Sequence, residues 1–141
     1  MTDAERWDAE FCGFFWGEGS FDLCPFRRKG QAAPSYTPRA RIALSARDRG
    51  VLDECMERFG GSLYYRAATD AWCWQLTGKQ RMTVLLDVLS RGVMGAIKRR
   101  EVALMQEAVA LIPARGVNYT TEVRERMTCI HASIKARGRA A

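Results

Sequence analysis

Two glycines spaced one helical turn apart, in a segment otherwise built from bulky aromatics, constrain this chain more than any other feature. From Ala4 to Gly17 the apolar residues Trp7, Phe11, Phe14 and Phe15 recur at spacings of 4, 3 and 1, which describes one face of an α-helix. On another face Ala9, Gly13 and Gly17 repeat every fourth residue. A glycine inside a helix costs about 0.5–1 kcal/mol relative to alanine, so a pair of them requires a compensating contact. Close approach of a second helix backbone supplies one on steric grounds alone. Ala9, Gly13 and Gly17 are therefore the expected seat of a second helix, and form a dimer interface if that helix is a second copy.

The rest of the composition narrows the chemistry. A chain of 141 residues, 48% hydrophobic and 27% charged, has the length and balance of one globular domain. No apolar run approaches the ~20 residues that span a bilayer. Asp3, Glu5, Asp8 and Glu10 occupy the stretch that a signal peptide keeps free of acid, so an intracellular, cytoplasmic domain with no membrane partner is expected. The five cysteines contain no CxxC pair and read as free thiols in a reducing compartment. His131 is the only histidine, so a Ser-His-Asp triad or an HExxH zinc site lacks parts. Catalysis here would run on carboxylates, lysines and metal ions, with no small-molecule cofactor.

Charge is unevenly spread. Residues 1–26 carry six acids and one base, whereas residues 27–49 carry seven bases and one acid, Asp48, within a net charge of +6. A concentrated basic stretch binds polyanions, and nucleic acid is the usual one.

Periodicity and punctuation predict the order of elements. Ser20–Arg28 reads as a strand, followed by a polar loop to about Thr37 and a second strand over Arg39–Ser45. Asp48 is placed to cap a helix that Gly60 ends. Strands over Ser62–Ala67 and Ala71–Thr77 follow, then helices over Lys79–Arg91 and about Ala96–Ile112, halted by Pro113. Thr121 is placed to cap a last helix over Glu122–Lys135. Pro25 is a candidate for bulging the first strand. The expected architecture is α+β: two hairpins forming a four-stranded antiparallel sheet, backed by helices on one face and open on the other. Residues 1–112 make the domain and 113–141 a linker and C-terminal helix. The Arg137-Gly138-Arg139 end is expected to bind phosphate loosely or to be disordered.

The segment Phe11-Cys12-Gly13-Phe14-Phe15-Trp16-Gly17-Glu18-Gly19-Ser20-Phe21 carries the chemistry. Glu18 falls at the C-terminal end of the helix, where exposed carbonyls already place about half a negative charge. An acid there makes sense if a divalent cation binds, since carboxylate and carbonyl are hard oxygen ligands suited to Mg²⁺. The alternative is a glutamate that merely faces solvent. Should two helices pack along the glycine stripe, two Glu18 side chains meet near a two-fold axis.

This segment resembles the signature of the LAGLIDADG homing endonucleases, in the variant that ends Gly-Glu-Gly-Ser-Phe. Phe59-Gly60-Gly61-Ser62-Leu63-Tyr64, Trp74-Gln75-Leu76-Thr77-Gly78-Lys79 and Ile97-Lys98-Arg99-Arg100-Glu101-Val102-Ala103-Leu104 look like later segments of the same domain, in order. The resemblance implies an αββαββα fold, Glu18 as metal ligand with the Gly17 carbonyl beside it, Mg²⁺ or Mn²⁺ as the cation, and Lys98 near the cleavage centre. It also departs from the family pattern. Trp16 stands where the motif usually has a first acid and reads as packing. Ser45 and Ala46 stand where Gln or Asn helps to order the attacking water, so Ser45 or Arg47 would have to substitute.

Strand parity assigns the open face. Asp22, Cys24, Phe26 and Arg28 alternate outward with Phe21 and Leu23 inward; Arg39, Arg41 and Ser45, then Tyr64, Arg66, Cys73 and Gln75, share the outward side. Arg39, Arg41, Arg66 and Gln75 are the expected base readers, because arginine pairs bidentately with guanine and glutamine with adenine. Arg27 and Lys29 are expected on phosphates. Trp74 reads as core and His131 as helix surface. With one motif per chain, the expected protein is a homodimer making double-strand breaks at a pseudo-palindromic DNA site. Such proteins resemble those of introns or phage genomes. An intron RNA maturase and a non-cleaving DNA-binding regulator are the alternatives on the same fold.

Overall fold

A computed structural model describes residues 1–31 and 33–140; the side chains of 137–140, among them Arg137 and Arg139, lie outside the described residues. The elements run α1 (Asp3–Glu18), β1 (Gly19–Phe26), β2 (Ser35–Ser45), a 3₁₀ turn (Ala46–Asp48), α2 (Arg49–Phe59), β3 (Ser62–Arg66), β4 (Ala71–Thr77), α3 (Lys79–Arg91), α4 (Ala96–Leu111) and α5 (Thr121–Ala140). The four strands form one antiparallel sheet in the order β1-β2-β4-β3. This is the αββαββα order expected, followed by α4 and α5.

Thr2 starts α1 through a capping box: its hydroxyl accepts from the Glu5 N–H at 3.1 Å, and the Glu5 carboxylate accepts from the Thr2 N–H at 2.8 Å. The aromatic face then enters the core. Trp7 and Phe11 stack with centroids 5.2 Å apart, Phe11 lies 5.0 Å from Phe59 and 6.4 Å from Trp74, and Phe15 lies 4.9 Å from Phe21. The Trp74 indole N–H, fully buried, donates to the Gly60 carbonyl at 2.8 Å. That bond satisfies its only polar atom, so a Trp is stable at the centre of an apolar core.

Several boundaries differ from expectation. β2 begins at Ser35, four residues early, and keeps Pro38 inside it. The proline is tolerated because the β2–β4 ladder starts only at Arg39, so its missing N–H removes no bond there. Pro25 causes no bulge: β1 is an edge strand, and its pairing with β2 runs unbroken from Gly19↔Ile42 to Phe26↔Ser35. β1 ends at Phe26, which leaves Arg27 and Arg28 in the connection. Asp48 stands at the N-cap of α2 without capping it; its carboxylate accepts instead from the Ser45 hydroxyl at 3.5 Å. Thr120, not Thr121, caps α5, through the Val123 N–H at 3.2 Å. His131 is half-buried, its ring 5.5 Å from that of Tyr36.

The segment from 113 onward, set apart in the sequence reading, contributes described residues of α5 to the same core. Met127, Ile130 and Ile134 of α5 are buried in the same cluster as Phe15, Leu23 and Met105, and α5 packs on α4 and β1. All five cysteines are free.

Candidate active site and nucleic-acid interface

Glu18 owes its position to Phe15 and Gly19. The last helical bond of α1 runs from the Gly19 N–H to the Phe15 carbonyl, and Gly19 is already extended (φ −85°, ψ 153°), so the chain passes straight from helix into β1. A Cβ on Gly19 would lie 2.4 Å from the buried Phe15 ring, which is why this residue is glycine. Glu18 is exposed at that junction and, among the described residues, forms no ion pair or side-chain hydrogen bond. The last turn of α1 carries no basic residue, and the carbonyls after Phe15 have no helical partner.

Lys98 of α4 supplies the missing cation from outside. Its ammonium donates to the Gly19 carbonyl at 2.8 Å, lies 3.2 Å from the Glu101 carboxylate and sits 5.8 Å from the Phe15 ring centroid. Lys98 and Glu101 are each only 14% exposed. Glu101 was missed in the sequence, although its i,i+3 spacing from Lys98 on a helix was the available signal.

On the sheet side of Glu18, a cleft of about 210 Å³ is lined by Glu18, Ser20, Arg41, Ala43, Tyr64, Arg66 and Cys73. The structure thus gathers one acid and two arginines at the foot of the sheet. Ser45 and Arg47 are not in it. Ser45 lies three residues past Ile42, the last β2 residue paired with β1, which is about 10 Å along a strand; Arg47 follows in the 3₁₀ turn, exposed.

The open face carries a feature that residue-by-residue reading missed. Asp22 faces Arg39 across the β1–β2 ladder and accepts from its guanidinium at 2.9 Å, while Arg41 approaches the same carboxylate oxygen at 3.1 Å. Two of the four expected base readers are thus held side by side by one acid. The signal was the hairpin register, which sets Asp22 opposite Arg39. Tyr64, Arg66 and Gln75 share the face. Cys73 does not reach out: paired between Ala43 and Tyr64, this short side chain is 3% exposed and forms the floor of the cleft, which corrects its assignment as a DNA contact. Arg27, Arg28 and Lys29 are exposed at the far end of the sheet, with Arg28 5.9 Å from the Phe26 ring.

The glycine stripe is open. Ala9, Gly13 and Gly17 are exposed, and a Cβ built on Gly13 or Gly17 would meet nothing within 4 Å. Nothing among the described residues requires glycine at either position. Trp16, read as packing, lays its indole on the backbone of Gly95, where a Cβ would come within 2.7 Å of the ring, yet stays 49% exposed.

A helix delivering an acid to the edge of a four-stranded sheet with an open basic face defines a known class. Residues 11–109 match the LAGLIDADG endonuclease family, and the chain belongs to that family. Among solved structures it is similar to the homing endonuclease I-TnaI (19% identity, TM-score 0.78, covering 95% of this chain and 89% of that one). It is similar also to the homing endonuclease I-CvuI, solved in complex with the I-CreI target (13% identity, TM-score 0.79, 96% and 84%). The LAGLIDADG homing endonuclease I-LtrWI, bound to target DNA, matches with 15% identity and a TM-score of 0.76; 92% of this chain spans 43% of that one. No curated protein matches the chain.

Proposed function

We propose that the protein is a site-specific endonuclease that binds double-stranded DNA on the open face of its sheet. Two copies joined along Ala9, Gly13 and Gly17 of α1 would each cut one strand of a pseudo-palindromic site. The observation that carries this reading is Glu18: an exposed, unpartnered acid at a helix end where negative charge is disfavoured, beside a basic sheet.

The donor set fits a divalent cation. One chain offers the Glu18 carboxylate and the Gly17 carbonyl, hard oxygens of the kind Mg²⁺ accepts while keeping several waters. Among the described residues no group of three or more His, Cys, Asp and Glu side chains stands ready to hold a metal; a second copy and phosphate oxygens would supply the remaining ligands. When bound, Mg²⁺ or Mn²⁺ supplies charge stabilisation at the scissile phosphate.

The chain's own residues do the rest. Lys98 fixes the end of α1 through the Gly19 carbonyl and adds positive charge where phosphate charge develops. Arg41 and Arg66 hold phosphates or bases at the cleft, and Arg39, Tyr64 and Gln75 read along the sheet. Arg27, Arg28 and Lys29 hold the backbone farther out. Ser45 and Arg47 stand beyond the cleft and serve as water-ordering residues only if DNA extends to them.

The test is cleavage of a plasmid library by the wild type and by Glu18→Gln, with and without Mg²⁺. Linear product that needs both Mg²⁺ and Glu18 supports the reading. Tight duplex binding without cutting would make the protein a regulator, and preference for a folded intron RNA would make it a maturase.

A further inference from the structure

A cleft larger than the one beside Glu18 lies away from it. It measures about 690 Å³ and opens between the β1–β2 connection, the start of α3 and the α4–α5 segment. Three cations from these separate elements line it, Arg28, Lys79 and Arg115, together with Gln31, Asn118 and Tyr119; none of its lining residues is Asp or Glu. Three cations with no carboxylate among the described lining residues make the cleft electrostatically favourable for an anion.

The α4–α5 segment, a plain linker in the sequence reading, is a built wall. Lys79 donates to the Ile112 carbonyl at 2.8 Å. At the other end the Tyr119 hydroxyl bonds both the N–H and the carbonyl of Tyr36, at 3.3 and 3.4 Å. Between these anchors the Val117 N–H donates to the Ala114 carbonyl at 2.9 Å, with Gly116 at φ +83°. That is a turn with glycine at the position that needs positive φ, and it displays Arg115 at its tip. Arg115 is exposed and, among the described residues, without a partner. Lys79 spends one of its three donors on Ile112 and keeps the others.

Position completes the argument. The cleft takes in Phe26 and Ser35, the far end of the ladder that begins at Gly19. Seven residues of strand span about 23 Å, the length of about seven base pairs of duplex. We infer that this cleft grips the phosphodiester backbone of duplex DNA in the outer flank of each half-site, beyond the base pairs that lie on the sheet. Arg28, Lys79 and Arg115 take phosphates, and the polar side chains take the sugar edge. The inference rests on the DNA-binding reading above and adds a surface to it.

The test is a salt titration of binding to a fluorescein-labelled random-sequence duplex of about 40 base pairs, where each phosphate contact contributes about 0.9 to the slope of log K against log salt. Wild type, Arg115→Gln and Arg91→Gln are compared; Arg91 is exposed on α3 and paired with Asp87. Arg115→Gln is expected to lower the slope by about 0.9 and to weaken binding several-fold, with Arg91→Gln matching wild type. Wild-type binding with an unchanged Arg115→Gln slope would overturn this inference alone. A slope change seen on an RNA hairpin but not on the duplex would also overturn it. Failure of the wild type to bind duplex would overturn both this inference and the reading on which it rests.

Discussion

The Lys98 ammonium donates a 2.8 Å hydrogen bond to the carbonyl of Gly19, tying α4 to the point where α1 becomes β1. Because α1 has no base in its own last turn, this contact neutralises the helix end that Glu18 otherwise makes more negative. Lys98→Met would remove the ammonium that lies 3.2 Å from the Glu101 carboxylate, a group only 14% exposed. A loss of about 1–3 kcal/mol of stability is expected for such a charge-assisted bond. The double variant with Glu101→Leu should recover part of it, because neither charge is then stranded. Urea unfolding of the three variants checks this; equal midpoints would show that Lys98 is free in solution.

Glu18→Gln should separate stability from activity. Removing a negative charge from a helix C-terminus is favourable by about 0.3–1 kcal/mol, and Glu18 gives up no ion pair or side-chain hydrogen bond among the described residues. The variant is therefore expected to melt slightly above wild type while its Mg²⁺-dependent cleavage disappears. Thermal melts and plasmid linearisation, run side by side, decide it.

Gly13 offers the sharpest test of dimerisation. A Cβ there meets none of the described residues within 4 Å, so Gly13→Ala should stabilise an isolated monomer by about 0.5–1 kcal/mol through helix propensity. Gly13→Leu would hold two helices apart. Sedimentation should show this variant as a folded monomer with double-strand cleavage lost, whereas a Gly13→Leu protein that stays dimeric would place the interface elsewhere.

Asp22 restrains Arg39 and Arg41, and its removal should loosen specificity. In Asp22→Asn both guanidinium groups keep their strand positions but lose the carboxylate that competes with phosphate. The cost in stability should stay under about 1 kcal/mol, since all three groups are about one-quarter to one-third exposed. Binding to random-sequence duplex should tighten, with a salt slope steeper by about 1–2. Fluorescence anisotropy across a salt series measures both.

Alkaline pH should weaken the fold through its buried thiols. Burial, helped by the charge of Glu54, pushes the Cys55 thiol up to about 12, while an unfolded cysteine ionises near about 8.5. Between those values the folded chain holds a proton that the unfolded chain has released. Stability is thus full below about pH 8.5 and falls as pH rises toward 12, by at most about 1.4 kcal/mol per pH unit for one such group. Cys12, also raised chiefly by burial, acts in the same direction. Urea midpoints in the alkaline range should fall less steeply in Cys55→Ala.

Local physics made most of the architecture legible. The aromatic spacing of α1, the inward alternation of Phe21, Leu23, Ala40 and Ile42, and stops at Gly60 and Gly92 are properties of short windows. The structure keeps all of them. What failed depended on neighbours. Pro38 was compatible with a strand because β4 ends beside Arg39, a fact of pairing between segments more than thirty residues apart. Asp48 lost its capping role to a 3₁₀ turn that places its carboxylate near Ser45.

The candidate site divides the same way. Residue order alone determined that an acid, Glu18, stands where a glycine-striped helix meets a strand, and that arginines alternate outward on the sheet behind it. Only the tertiary structure decided that Lys98 reaches back 79 positions to the Gly19 carbonyl, that Asp22 holds two arginines, and that Cys73 lies beneath its neighbours. Periodicity in a chain reports which way a side chain faces. Which atoms it meets there depends on segments brought together by burial of the core, and no local pattern encodes that distance.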